Sequence, residues 1–278
     1  MSILELATRY HTRVGGSPRY LEQLQVLARR LPWQASELTP DLIDAYLTDA
    51  LKTLAASTVD NHRRMLRSLL KFAAAERLVD ASIVRPLRRV KVAPPNPRAW
   101  SHQEIARLVA EAANTTGGTL KCPYRLLLPA WILTGYSTGL RLEDLLALRH
   151  DDLRGDKLCL PQHKTGWPHV VRFDSNALEA IRKLPVVGPR IFGSLIGRSQ
   201  ILVAMRRLVK RAGLCGSTKW CRRSGATYCE IAGNDSTQYL GHKTPGMKTR
   251  YIDRLLLAEE RPDNPIVPSV PLLQAAIQ

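Results

Sequence analysis

A proline-rich stretch about a third of the way along the chain restricts the fold more than any other feature. Residues 93–99 read APPNPRA, with proline at three of four successive positions. Proline fixes φ and lacks the backbone N–H, so this stretch cannot continue a helix and forms a stiff, extended connector. A chain of 278 residues can build a core on each side of it. The sequence therefore predicts a first domain of residues 1–93, a linker of residues 94–99 and a second domain of residues 100–278.

Helix signals fill the segment before the connector. Residues 17–18 (Ser-Pro) and 39–40 (Thr-Pro) each supply an N-cap followed by proline at the first helical position. Ser57 with Asp60 resembles a capping box, with Asp in place of the usual Glu or Gln, and predicts a helix that runs to about Leu78. We therefore expect a small helical first domain.

The chain carries a large excess of positive charge. Its 41 Lys and Arg against 24 Asp and Glu give a net charge of +17, which favours a polyanionic partner. Membrane surfaces are also polyanions, so charge alone does not select nucleic acid. No apolar run is long enough to span a bilayer and the N-terminus lacks a signal-peptide pattern, so we expect no membrane partner and a cytoplasmic, nucleoid-associated location. Five cysteines without a C-x-x-C pair favour reduced thiols.

Several basic residues are candidate DNA contacts. Four of them recur at helical spacing after Ser57 and form one stripe: Arg63, Arg64, Arg67 and Lys71. Such a run is usually a solvated face, but the stripe lacks interleaved acids and the whole chain is basic, which favours contact with double-stranded DNA. A basic run before the connector and a basic helix predicted from Ser199 to Ala212 add Arg88, Arg89, Lys91, Arg206 and Arg207.

Two stretches in the middle of the chain carry further charged groups. Arg141 and Asp144 are three residues apart in a helical pattern, so the carboxylate can orient the guanidinium, although such a pair on its own is usually only a surface ion pair. Alternating residues 157–162 and 169–173 predict an antiparallel hairpin with Lys164 at its tip. His163 and His169 flank this turn, and we expect both to be exposed.

Residues 217–253 contain the densest group of chemically capable side chains. They include a Lys-x-x-Arg pair (Lys219 and Arg222), a Leu-Gly-His tripeptide ending at His242, and Tyr251 nine residues later. A guanidinium group binds two phosphate oxygens at once, in a bidentate manner. A phenol (pKa about 10) becomes a nucleophile when cations favour its phenolate. A lysine at a hairpin tip can protonate the leaving oxygen. No carboxylate cluster with metal spacing occurs, so we expect neither a metal nor another cofactor.

Four stretches resemble the motifs of the tyrosine recombinase family, the phage integrases and Xer-like site-specific recombinases. They are TGYSTGLRLEDLLALR, HKTGWPHVVRF, KWCRRSGAT and YLGHKTPGMKTRYI, and they occur in the family's order. The resemblance implies a mainly α fold with a small antiparallel β-sheet. It further implies a two-domain, C-shaped DNA clamp, with an N-terminal helical (SAM-like) core-binding domain and a C-terminal catalytic domain.

The resemblance also implies a role for each matching residue. Tyr251 is the expected nucleophile, and Asp144 supports Arg141. Lys219 stands where the family most often has His, which leaves the acceptor of the tyrosine proton open because a lysine is ordinarily protonated already. Arg223 replaces a commonly seen His and is expected to contact phosphate. The complete expected catalytic set is Arg141 and Arg222 as phosphate clamps, Lys164 as general acid, Lys219, His242 and Tyr251. Asp144 is the expected supporting residue, and Arg223 is an expected DNA contact.

The function implied is site-specific DNA recombination through a covalent 3′-phosphotyrosyl intermediate, independent of metal and ATP. We expect two subunits on each DNA site and four in the synapse, with the apolar end at residues 268–278 docking on a neighbouring subunit. Two alternatives remain open: a type IB topoisomerase-like strand transferase, and a DNA-binding protein that keeps the fold but has lost catalysis.

Overall fold

The computed structural model describes residues 1–162, 166–242 and 244–260. The chain divides into two compact units, Met1–Pro94 and Pro95–Gln278, and each encloses its own hydrophobic core. Among the described residues, no helix combines the length and the apolar character needed to cross a membrane.

The first unit is helical. Ser17 and Thr39 cap their helices through their side-chain oxygens, as predicted. The first helix was not predicted, although Ser2 and Glu5 form a full capping box at its start. The helices are α1 (Ile3–Val14), α2 (Pro18–Ala28), α3 (Pro40–Ala50) and α4 (Ala56–Ala75), with short 3-10 turns at Ala35–Glu37 and Ala81–Ile83.

The start of α4 differs from the prediction. The helix begins at Ala56, with Ala55 as its N-cap, so Ser57 lies inside the first turn and cannot close a capping box with Asp60. The Asp60 carboxylate instead lies 2.8 Å from Nη2 of Arg63 and 2.6 Å from Nη2 of Arg64. An acid is thus interleaved in the basic stripe after all, because one helical turn separates Asp60 from both arginines.

The second unit combines helices with a small sheet. Ser101 and Glu104 form the capping box that opens α5. The helices are α5 (His102–Ala113), α6 (Tyr124–Thr138), α7 (Leu142–Ala147), α8 (Ser175–Arg182), α9 (Arg198–Arg211), α10 (Lys219–Ile231), α11 (Ser236–Tyr239) and α12 (Arg254–Glu260), and 3-10 turns lie at His150–Asp152 and Pro245–Arg250.

Three antiparallel strands form the sheet in the order β1 (Leu153–Arg154), β2 (Lys157–Pro161) and β3 (Pro168–Arg172). Strands β2 and β3 are the two arms of the predicted hairpin, and Leu160 pairs with His169. The mainly α fold with a small antiparallel sheet is therefore confirmed. The tip residues 163–165 lie outside the described part of the chain.

The core of the second unit surrounds α6. This helix is apolar on most sides, and Trp131 packs edge-on against Phe192 with ring centroids 5.2 Å apart. The end of the proline-rich stretch joins this unit: the Trp100 backbone N–H donates to Ser224 Oγ at 2.8 Å and the Ala99 N–H donates to Asp253 Oδ2 at 2.9 Å. The segment before α5 is thereby hydrogen-bonded to helix α10 and to Asp253, two residues after Tyr251.

Candidate active site

Arg141 is positioned by a tight turn between α6 and α7. Helix α6 is followed by its C-cap Gly139, whose φ of +62° favours glycine, and a Cβ at this position would overlap the ring of Tyr239. Arg141 is the N-cap residue of α7, and its side chain is 20% exposed. Its Nη1 donates to Gln162 and lies 3.8 Å from Oδ2 of Asp144, a carboxylate that is almost wholly buried. The predicted Arg141–Asp144 pair therefore forms, with the carboxylate buried and the guanidinium partly exposed.

Arg222 lies in α10 and is 5% exposed. Its Nη1 donates to the carbonyl of Gly139, and its Nη2 donates to the carbonyl of Leu240 at 2.8 Å and lies 3.2 Å from Nε2 of His242. One guanidinium thus joins the turn that carries Arg141 to the Leu-Gly-His tripeptide. This fork geometry suits arginine and no other cation.

Burial lowers the pKa of Arg222 to about 10, and the positive charge of Arg141 acts in the same direction. The charges of Tyr251 and Asp144 oppose this shift. A group with this pKa is still a cation at neutral pH, so the site holds two guanidinium charges.

Tyr251 lies directly after the 3-10 turn Pro245–Arg250 and is half-buried. The Arg222 Cζ atom is 4.9 Å from the centroid of its ring, and the His242 ring centroid is 5.1 Å away. Helix α12 begins only at Arg254, so Tyr251 precedes it. Between the two, the Asp253 N–H donates to Thr227 Oγ1 of α10 at 3.0 Å, which anchors the tyrosine segment to the helix that carries Arg222.

A cavity of about 400 Å³ opens beside these groups. Four of the predicted catalytic residues line it, and so do three further arginines. Lys219, the first residue of α10, is one of these four lining residues. The charged and phenolic residues of the lining are Arg141, Lys219, Arg222, Arg223 and Tyr251, together with Glu143, Arg198 and Arg250.

The other predicted residues lie elsewhere or outside the described ranges. Lys164 falls in the undescribed hairpin tip. Arg206 and Arg207 are exposed on α9 and do not line the cavity. In the first unit, Arg63 is 19% exposed and paired with Asp60, whereas the other basic candidates are exposed: Arg64, Arg67, Lys71, Arg88, Arg89 and Lys91.

Sequence reasoning missed two buried polar residues, Gln162 and His169. His169 was expected to be exposed, but both side chains are 1% exposed. A signal was present: Leu158 and Leu160 point inward along β2, and the same alternation continues to Gln162. The expectation for His169 fails because its partner in the register is the buried Leu160, so it lies on the core face of β3.

Within residues 1–162, 166–242 and 244–260, no three His, Cys, Asp or Glu side chains are grouped so as to hold a metal ion. No protein-family model and no curated protein matches the sequence.

Solved structures, in contrast, match over nearly the whole chain. A lambda integrase dimer bound to a COC′ core site aligns with a TM-score of 0.74 and 19% identity, covering 91% of this chain and 96% of the other. A lambda integrase tetramer bound to a Holliday junction aligns with a TM-score of 0.72 and 20% identity, covering 91% and 78%. The Tn1549 transposon integrase in complex with a circular intermediate DNA aligns with a TM-score of 0.69 and 14% identity, covering 91% and 95%.

At these identities the likeness concerns the fold and not the chemistry. Both units take part in it, since the alignments cover about nine-tenths of the chain. Over both of its units, the chain therefore has the fold of lambda integrase and of the Tn1549 transposon integrase.

Proposed function

We propose that this protein cuts and rejoins DNA strands through a covalent link between Tyr251 and a DNA phosphate. The observation that carries the proposal is the cluster in which the buried Arg222 guanidinium lies against the Tyr251 ring, 4.9 Å from its centroid, beside a cavity lined by further cations. Cations placed beside the phenol stabilise the negative charge that builds up on a phosphate when the phenol attacks it.

The hydrogen bonds of Arg222 support this role. Its two Nη atoms are used to hold the guanidinium in place, against the carbonyls of Gly139 and Leu240. Its Nε makes no hydrogen bond to the described residues. The two carbonyl bonds fix the position of this cation, so its charge needs little reorganisation when an anionic ligand binds in the adjacent cavity.

The reaction requires no external energy source. Tyr251 Oη attacks the phosphorus, a tyrosyl P–O bond forms, and the bond from phosphorus to the 5′ oxygen of the next nucleotide breaks. The phenol loses its proton, and the leaving 5′ oxygen gains one, for which Lys164 remains the predicted donor. A 5′ hydroxyl of another strand reverses the step and restores one phosphodiester for each one broken.

The substrate and assembly follow from the same proposal. The net charge of +17 favours a duplex as partner. The matched lambda integrase structures hold a dimer on a core site and a tetramer on a Holliday junction. We infer that this chain likewise binds double-stranded DNA as two subunits per site and recombines two sites in a tetramer.

The experiment traps the covalent link. Duplexes bound by the protein are first selected from a randomised pool, and the selected sequence is then made with a nick close to each candidate cleavage position, so that the small fragment diffuses away after cleavage. Wild-type protein is expected to form a denaturation-resistant adduct, Tyr251→Phe is expected to form none, and Tyr124→Phe, a half-buried tyrosine at the start of α6, is expected to react like wild type.

Three results would contradict the proposal, and each one indicates a different alternative. An adduct with Tyr251→Phe shows that another residue is the nucleophile. Selective binding without any adduct shows a DNA-binding protein that has lost catalysis. Relaxation of supercoiled DNA by the monomer, without strand exchange between two sites, shows a topoisomerase-like enzyme.

A further inference from the structure

Two buried polar side chains at the base of the β-hairpin, Gln162 and His169, have no role in the chemistry described so far. They lie at the ends of β2 and β3, where these strands meet the turn that carries Arg141 and the Leu-Gly-His tripeptide. Their side chains are 3.3 Å apart, from Gln162 Nε2 to His169 Nδ1. Burying an amide and an imidazole is costly unless their hydrogen bonds are satisfied, so their partners indicate what the pair does.

The His169 tautomer follows from its partners. Its Nε2 lies 2.9 Å from the carbonyl oxygen of Thr138, which can only accept, so Nε2 carries the proton. Burial lowers the pKa of His169, and the charges of Arg222 and Arg141 add to this effect, while the Thr138 bond and Asp144 oppose it. A neutral ring with its proton on Nε2 leaves Nδ1 as an acceptor.

The Gln162 amide is then oriented as well. Its Nε2 donates to His169 Nδ1 and to the Gly241 carbonyl at 3.1 Å. Its Oε1 consequently points the other way and accepts from Nη1 of Arg141. A flipped amide would place an N–H₂ group against the guanidinium, donor against donor.

Gly241 packs closely against the Gln162–His169 pair. Gly241 has a φ of +58°, and a Cβ at this position would overlap the Gln162 amide and lie 2.5 Å from His169 Nδ1. The glycine of the Leu-Gly-His tripeptide thus admits the Gln162–His169 pair. The Leu240 carbonyl beside it accepts from Arg222 Nη2, so the pair lies between the supports of both guanidinium groups.

We propose that Gln162, held in one orientation by His169, is a positioning residue that aims the Arg141 guanidinium at the scissile phosphate. This inference rests on the proposed function. His169 acts through Gln162 and touches no reacting atom. Protonating His169 would put a second N–H opposite the amide N–H₂, which forces the amide to flip and removes the acceptor from Arg141. The charged groups that influence His169 are Arg141, Arg222 and Asp144.

The first test needs no DNA and therefore separates this inference from the proposed function. Protein with ¹⁵N-labelled histidine is examined by NMR, with a His169→Gln sample to assign the signal. At pH 7, His169 is expected to show a protonated Nε2 and an unprotonated Nδ1, and to remain neutral at a pH where exposed histidines become charged. A charged ring or an Nδ1–H tautomer at pH 7 overturns the proposal.

The second test measures the rate of adduct formation on the nicked duplex at saturating protein. Gln162→Leu keeps the size of the side chain but removes its hydrogen bonds to Arg141, His169 and Gly241, and it is expected to slow the reaction about 10- to 100-fold while DNA affinity changes less than about threefold. Gln103→Leu, the same change at an exposed position on α5, serves as the matched control and is expected to react at the wild-type rate.

A double substitution decides whether Gln162 acts through Arg141. Lysine has no planar fork to orient, so in an Arg141→Lys background Gln162→Leu is expected to slow the reaction less than about threefold further. Equal slowing in both backgrounds would show a purely structural role and overturn the proposal. If wild type itself forms no adduct, the proposed function fails, and the histidine tautomer still decides whether the Gln162–His169 pair is arranged as described.

Discussion

At the scale of single residues, the buried guanidinium of Arg222 is the most constrained group of the site. A charge that is 5% exposed needs compensation, and its hydrogen bonds to two carbonyl groups supply it. The same bonds hold the guanidinium close to Tyr251. Stability and chemistry therefore depend on one side chain.

Arg222→Lys tests this dependence. Lysine keeps the charge but cannot bridge Gly139 and Leu240 with a planar fork, so we expect adduct formation to slow by about 10²- to 10³-fold. Single-turnover assays on the nicked duplex measure the rate. Arg182→Lys, which keeps the charge at an exposed position on α8, should leave the rate within about twofold of wild type; equal effects of the two changes would contradict the role of the fork.

Two buried histidines predict how stability depends on pH. Burial lowers the pKa of His62 in the first unit and of His169 in the second. Each unfolded histidine therefore binds a proton at a higher pH than the folded one does. Their contribution to stability is fully present above about pH 6.5 and is lost as the pH falls from there towards each folded pKa, with a slope of at most about 1.4 kcal/mol per pH unit and histidine.

Denaturant unfolding at a series of pH values checks this sign. His62→Gln should flatten the acid side of the profile for the first unit, and His169→Gln should do so for the second. Gln103→Leu, which changes an exposed position without a titratable group, serves as the control and should leave both profiles unchanged. A profile in which stability rises as the pH falls below 6.5 would contradict the assignment.

At the scale of elements, glycines decide how closely the site's helices approach. A Cβ at Gly225, within α10, would overlap the Tyr239 hydroxyl and the Tyr136 carbonyl, which are hydrogen-bonded to each other. This close approach lets α10 bring Arg222 within reach of the carbonyl of Gly139 at the end of α6.

Gly225→Ala measures the strength of this constraint. Helix propensity alone would favour alanine by about 1 kcal/mol, but overpacking costs about 1–3 kcal/mol, so we expect net destabilisation. Equilibrium unfolding measures the change. Gly246→Ala is the matched control, because a Cβ there meets nothing within 4 Å, and its stability should stay close to wild type.

Helix α4 offers the corresponding test for DNA contact. Arg64, Arg67 and Lys71 are exposed, whereas Arg63 is mostly buried against Asp60. If the exposed residues each neutralise a phosphate, replacing one of them by Ala lowers the slope of log affinity against log salt by about 0.9. Arg63→Ala should instead reduce stability and leave that slope unchanged. DNA titrations at several salt concentrations distinguish the two results, and equal slopes for all variants would exclude α4 from the interface.

At the scale of the whole molecule, two separate cores predict two folding units. Residues 1–94 and 95–278 each enclose buried apolar residues of their own. We expect fragments cut between Pro94 and Pro95 to fold independently, since each retains its core. Dispersed NMR spectra and cooperative thermal unfolding of both fragments would support this, and a fragment without a cooperative transition would contradict it.

Much of this organisation was predictable from local sequence. The caps at Ser17 and Thr39 form as predicted, because a cap depends on residues within one helical turn. The hairpin also forms as predicted, because alternation and a turn are local signals. The predicted DNA contacts and the roles predicted for the site residues, Lys164 included, remain predictions.

What the sequence by itself determined is the set of chemically capable residues and the local elements that carry them. Only the tertiary structure decided how these elements meet. Tyr251 lies outside a helix, and Arg222 donates to the carbonyls of both Gly139 and Leu240. Gln162 and His169 occupy the space that a side chain at residue 241 would fill. These contacts join residues tens of positions apart in the chain. Their hydrogen bonds depend on side-chain direction and on space left by glycines, and neither is encoded within one helical turn or one strand repeat.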